Sequence, residues 1–234
     1  MDRLHIPTRR SRFALALLGL TVSSIAAWEF SITSPVNALY KGQPLITLLE
    51  AYHLGDIQCN SIEADRALSV LGTNAIPTLV WMLEQEDSSL KLKVLGILKK
   101  QHLLKVHNIS SEERHFAARI AFARLKEKGE PGVPQLAKLC QHGRSRSARR
   151  YAAAALGEIG PGARGALPAL LSATKDPDSD VRVQALLSVY HIHSEPQLVV
   201  PELKKLQDDP DTTVRWLVRM ILNSFIDFAR TNKS

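Results

Sequence analysis

Asp176-Pro177-Asp178-Ser179-Asp180-Val181-Arg182 returns 33 residues later as Asp209-Pro210-Asp211-Thr212-Thr213-Val214-Arg215. The same interval links Ala148-Arg149 to Val181-Arg182, and Leu167-Pro168 to Val200-Pro201. Ala152, Ala185 and Val218 follow four residues after the apolar member of each apolar-Arg pair. Leu156, Val189 and Leu222 come four further on. A self-similarity of this length is the mark of a repeat architecture, in which one small unit buries its apolar side only by stacking on its neighbours. It decides shape before any local motif is read, and says little about chemistry.

Spacing inside the unit is helical. Val181, Ala185, Leu186 and Val189 fall on one helical face, and upstream Pro77 sits in the first turn of the helix expected over 75–84, where N–H groups lack partners anyway. The expected pairs are 147–158 with 163–174 and 180–192 with 197–207, followed by a helix over 212–228. Asp178 and Asp211 stand near helix starts, where the dipole favours carboxylates. Each is also placed to reach an arginine of a neighbouring unit, giving a ladder of Asp178, Arg182, Asp211 and Arg215. Upstream, the same grammar appears with worn spacing in helices expected over 61–71, 75–84, 111–128 and 135–141. Another is opened by Ser88-Ser89, and 101–110 reads as an insertion. The fold class is all-α: an α-solenoid of antiparallel helix pairs over 44–234, degenerate over 44–143 and regular over 144–228.

Ahead of it, Phe13 to Trp28 contains no charged residue, and Arg3, Arg9, Arg10 and Arg12 precede it. A basic start before a short apolar run describes an export signal or a retained anchor, and implies an apolar helix before the solenoid. Residues 1–28 are therefore the tail and signal-anchor segment, and 29–43, with its Pro, Gly and small polar residues, the linker. The expected location is the cell envelope: a single-pass inner-membrane anchor with the solenoid outside the cytoplasm. The alternative is a secreted or periplasmic protein, cleaved after Ala26 or Ala38. Of the formal charge of +7, much sits in that tail. The body is only mildly basic, so a bulk nucleic-acid binder is not demanded. Two cysteines, Cys59 and Cys140, stand far apart and form no C-x-x-C pair. Neither a zinc ribbon nor a thioredoxin-type site is available, and Cys140 reads as a small buried hydrophobe.

Ala153-Ala154-Ala155-Leu156-Gly157-Glu158-Ile159-Gly160-Pro161, then Ala166-Leu167-Pro168-Ala169-Leu170-Leu171, then the Asp-Pro-Asp stretch closely resemble the short, PBS-lyase-like HEAT repeat. The resemblance is strong over about 144–215 and degraded over about 60–143. The whole chain resembles small bacterial HEAT-repeat proteins with an N-terminal hydrophobic segment. It implies an interaction module rather than a reaction.

No Gly-rich phosphate loop, Gly-x-Ser-x-Gly elbow or paired-carboxylate motif is present, so no catalytic, cofactor-binding or metal residue is assigned. His191-Ile192-His193 has a metal-like spacing, but alternate helical residues point about 200° apart and the pair reads as a polar helix end. Iron-holding His-Glu dipeptides, as in deoxyhypusine hydroxylase, do not occur. An exported topology argues against the cytosolic chromophore loading of phycobilin lyases. HEAT-like DNA glycosylases pair a basic face with aromatics. Trp81 and Trp216 are available, with Trp216 expected to face the core.

The sharpest local feature is Arg144, Arg146, Arg149 and Arg150 at a helix start, where positive charge opposes the dipole. These are the candidate partner-binding residues, set against a solvated face with Arg149 in the ladder. The sequence thus points to a non-enzymatic protein–protein interaction scaffold, exported and membrane-anchored, whose partner is another, unidentified protein. The alternative is a soluble HEAT-like nucleic-acid binder or enzyme using the 144–150 cluster.

Overall fold

The chain is described by a computed structural model that covers residues 38–49, 52, 60–87 and 110–231, without the side chains of 60, 61 and 227–231. The N-terminal apolar segment, the linker up to residue 37, the helix opened by Ser88-Ser89, Cys59, and 101–109 of the insertion lie outside these residues.

The described part begins with a hairpin where the linker was expected to end. Strands β1 (Leu39–Tyr40) and β2 (Gln43–Pro44) pair antiparallel around Lys41-Gly42. Both loop residues have positive φ, 50° and 77°, the two-residue turn whose twist matches that of its strands. Ala38 N–H donates to Thr78 Oγ1 at 3.1 Å, and Lys41 pairs with Glu63 at 2.8 Å. The hairpin is therefore fastened to the body, and the compact unit starts at Ala38.

Helices follow: α1 (Leu45–Leu49), α2 (Asn60–Leu71), α3 (Ile76–Glu84), α4 (Ser111–Leu125), α5 (Val133–His142), α6 (Arg146–Ile159), α7 (Leu167–Ala173), α8 (Ser179–Ile192), α9 (Pro196–Lys204) and α10 (Thr212–Thr231). Four of them, α4, α6, α8 and α10, lie side by side as one layer. Helices α5, α7 and α9 form the second, each packed on its partner in the first. The fold is an all-α solenoid. Its core is continuous from Leu45 to Phe225 and rich in Ala and Leu, as expected when each unit's apolar side is covered by the next.

Sequence explains most boundaries. Ser110, one residue before the expected start of α4, makes a capping box: its Oγ accepts the Glu113 N–H at 3.2 Å, and its own N–H reaches Glu113 Oε2 at 2.6 Å. Ser110→Ala is expected to cost about 1 kcal/mol in thermal unfolding. The end of α4 differs from expectation. Helix geometry stops at Leu125, Lys126 takes φ 49°, and a 3₁₀ segment over Lys126–Gly132 carries the chain into α5. Gly129, expected to terminate the helix, serves a different purpose. A Cβ there would lie 3.0 Å from Ile159 and 3.2 Å from Phe122, so it keeps the segment tight against the core. Equivalent 3₁₀ turns, Gly72–Ala75 and Gly160–Ala166, precede α3 and α7, which is why those helices begin later than expected.

Between α6 and α8 the closest approach is at Gly157. A Cβ on it would meet Ser188 Oγ at 2.6 Å and Ser188 Cα at 3.0 Å. Ser188 Oγ donates to a carbonyl, with Ala153 O at 2.7 Å across the interface and Gln184 O at 2.9 Å in its own helix. One missing side chain thus lets two helices of successive units touch through backbone and a fully buried hydroxyl.

Candidate functional site

The basic helix start is built by the bend after α5. Ser145 caps α6 through its Oγ, which accepts the Ala148 N–H at 3.0 Å. This aims Arg146, Arg149 and Arg150 in different directions. Arg149 turns inward to the next unit. Its Nε and Nη2 reach the two oxygens of Asp176 at 2.6 and 3.0 Å, and its Nη1 donates to Gly143 O at 3.1 Å. Arg150 pairs with Glu112 at 2.9 Å and lies over the Tyr151 ring. Arg146 approaches Asp178 at 3.5 Å and is largely exposed. Arg144 is exposed on the bend. Glu112, Arg146, Ser147, Arg150, Asp178 and Asp180 line a small cleft of about 30 Å³, space for a water or two. Of the four candidate partner-binding arginines, three face carboxylates of this chain. The cluster is therefore paired in part within the chain, with Arg144 and much of Arg146 left exposed.

The ladder is present, and its close rungs use different carboxylates from those expected. These are Arg149 to Asp176 and Arg182 to Asp209, the latter at 2.9 Å. In each Asp-Pro-Asp turn, the first aspartate reaches back to the preceding unit. The second, Asp178 or Asp211, caps its own helix, accepting from Asp180 and Val181 N–H or from Thr213 and Val214 N–H, and Asp178 Oδ2 also lies 3.5 Å from Arg146 of the preceding unit, the cross-unit contact expected of it. The division follows from geometry. A cap must fold its side chain forward onto the first turn, which leaves the residue two places earlier free to point out of the turn. Arg182 and Arg215 brace these turns from inside, their Nη1 donating to the carbonyls of Asp176 and Pro177, and of Asp209 and Pro210. The rungs differ in quality. Arg149 binds Asp176 through two nitrogens, whereas Arg182 uses one, and its buried Nε has no partner among the described residues. Burial alone would raise the Asp176 carboxyl. The hydrogen bonds and charge of Arg149, with the Asp178 N–H, outweigh burial and hold it below the usual carboxylate range. Asp211, in open solvent, is lowered by the Val214 and Thr213 N–H groups.

Beside the cleft lies a link that spacing did not reveal. His115 is fully buried, with Nε2 3.0 Å from Gln85 O and Nδ1 2.9 Å from Ser147 Oγ. A carbonyl only accepts, so Nε2 carries the proton and Nδ1 accepts from the Ser147 hydroxyl. A serine hydrogen-bonded to an imidazole also has the geometry of a nucleophile and base. Here burial lowers the imidazole pKa, and the adjoining cleft is small, about 30 Å³. The contact instead ties α4, α6 and the end of α3 together. A His held neutral contributes stability that is complete above its unfolded pKa of about 6.5 and lost as pH falls through the lower folded value. Thermal melts should therefore weaken from pH 7 to 5, and His115→Gln should flatten that slope while costing about 1–3 kcal/mol at pH 7.

The remaining candidates are accounted for individually. His193 adopts the left-handed conformation at the end of α8 and stacks on Phe225, ring centroids 4.7 Å apart. Both His191 and His193 lie beside the Tyr190 ring, with centroids 6.0 and 6.2 Å from it. Cys140 is buried, and burial pushes its thiol up to about 12, the inert small hydrophobe expected. Trp216 overturns its expectation. It is 62% exposed on α10.

The family model for HEAT repeats matches residues 133–223. Residues 133–223 are HEAT repeats. The matched HEAT stretch runs from α5 into α10 and contains both rungs. Two solved structures align with the chain at low identity. One is the complex of CpcE and CpcF of phycocyanin lyase from a Nostoc species, 18% identical over 76% of this chain and 96% of that one, with a TM-score of 0.49. The other is an engineered protein, 19% identical over 76% of this chain and 95% of that one, with a TM-score of 0.39. At these scores neither adds to the assignment. No curated protein matches the chain.

Proposed function

We propose that this HEAT array is a non-enzymatic scaffold that binds another protein, held in the cell envelope by its N-terminal apolar segment. One observation supports the scaffold reading above others. Two of the four charges that made 144–150 look like a ligand site, Arg149 and Arg150, are paired within the chain, on Asp176 and Glu112. Large apolar side chains also stand exposed, Val70 at 71% on α2 and Trp216 at 62% and Ile226 at 50% on α10 among them, and such groups gain from a partner's cover. The location rests on sequence, namely Arg3, Arg9, Arg10 and Arg12 ahead of the uncharged run Phe13–Trp28. Among the described residues no helix is long and apolar enough to cross a membrane, and that run lies outside them. Retention of the anchor is favoured over cleavage after Ala26 or Ala38.

The test is fractionation of full-length protein carrying a C-terminal tag, followed by chemical cross-linking in intact cells. The expected result is membrane recovery that resists salt and alkaline washing, with a discrete adduct to a different protein. Recovery in the cytosol with Met1 intact overturns the location, and a chain that never forms a heterologous adduct overturns the scaffold. Arg144, Arg146 and Arg150 replaced together by Ser should leave the adduct unchanged, and DNA should not be retained in a salt-dependent manner.

A further inference from the structure

We infer that the side of α10 turned away from α8 docks a partner's helix opened by an acidic turn; this rests on the scaffold reading and names where it acts. The chain itself shows the arrangement. On α8, Arg182 is covered by the Asp209 turn of the following unit, and Leu186 on the same side is fully buried. On α6 the equivalent residues are Arg149, taken by Asp176, and Ala153, whose carbonyl meets Ser188 of the next helix. Each unit thus offers an arginine and an apolar seat, and each is met by a turn carrying Asp followed by an amphipathic helix.

Shifted by one more repeat, those positions on α10 are Arg215 and Arg219, with Ile226 in the place of His193. Arg215 braces its own turn as its counterparts do, while no carboxylate meets it among the described residues. Arg219 replaces the apolar seat and is exposed. Trp216, 62% exposed, and Ile226, 50% exposed, flank the two charges. The result is an apolar strip with two guanidinium groups, shaped by the repeat to receive a helix and charged to receive acid. A second copy applied face to face would bring Arg215 and Arg219 against their own images, at a cost in like-charge repulsion. An aromatic beside an arginine is the composition of an interface hot spot.

The probe is a labelled peptide with the sequence of Leu206 to Phe225, the segment that covers α8, in which the residues at 215, 216 and 219 are glutamate. Titrated against the full chain in detergent, it should bind saturably and more weakly as salt rises. Trp216→Ser and Arg219→Glu in the chain should each weaken binding at least tenfold without moving the thermal melt. Asp209→Asn in the peptide should also weaken it. Absence of binding, or binding indifferent to those variants, overturns the proposal. So does self-association of the chain in sedimentation that Trp216→Ser abolishes, since the occupant would then be a second copy. Cross-linking in cells with the Trp216→Ser chain separates the two readings. Loss of the heterologous adduct supports this surface, and its persistence removes the surface while leaving the scaffold standing. No adduct even with the unaltered chain is the failure of the scaffold reading itself.

Discussion

Arg149→Met is expected to destabilise the protein by about 3 kcal/mol, roughly 10 °C in melting temperature for a domain of this size. The pair it breaks is bidentate, and its side chains are only 17% and 8% exposed. Removing the cation leaves Asp176 ionised, nearly buried and short of partners, which costs more than the intact pair contributes. The pH response should change sign. In the natural chain the Asp176 carboxyl is held low, so its contribution is complete above the unfolded carboxylate pKa of about 3.9 and is lost as pH falls through the lower folded value. In Arg149→Met, burial is left to raise that pKa above the unfolded one. Stability should then improve as pH falls from 7 toward 4, where the natural chain holds level or declines. Melting curves at pH 4, 5.5 and 7 on both proteins check this.

The second large effect is expected at Gly157. Gly157→Leu should cost more than about 3 kcal/mol and lower the cooperativity of unfolding, because even a Cβ would sit 2.6 Å from Ser188 Oγ and 3.0 Å from Ser188 Cα. Ser188 cannot yield easily, since its hydroxyl is tied to Ala153 O and Gln184 O. A helix gains up to about 1 kcal/mol when Gly becomes a better helix former, so the sign is decided by space alone. Gly165 supplies the contrast. A Cβ there meets nothing within 4 Å, and Gly165→Ala should stabilise by about 0.4–1 kcal/mol through the unfolded chain. Urea titrations of the two variants should move in opposite directions.

The solenoid was legible because its signal is redundant. Val181-Arg182 and Val214-Arg215, the paired prolines and the apolar periodicity all give one period, and packing against identical neighbours leaves little for tertiary context to override. Legibility failed where two residues two places apart compete for roles. Asp176 and Asp178 are chemically identical, and only the turn conformation decides which caps α8 and which crosses to Arg149. It failed again for charges whose partners are remote. Spacing shows Arg146, Arg149 and Arg150 together but not Glu112, 38 residues before Arg150. Trp216 was placed by its neighbours in the repeat, yet its exposure depends on what lies beyond α10, which periodicity cannot show. Lys41-Gly42 and Lys126 were missed because lysine is an uncommon residue at positive φ.

Arg149 and Arg182 hold successive HEAT units together and are not free to bind a ligand. A double-mutant cycle on Arg149 and Asp176, using Met and Leu as the replacements, tests it directly. The account predicts a coupling free energy of at least about 2 kcal/mol, with the double variant recovering most of the loss seen in Arg149→Met. Coupling near zero, with each single variant close to the natural chain in stability, contradicts it and returns Arg149 to the list of ligand-binding groups.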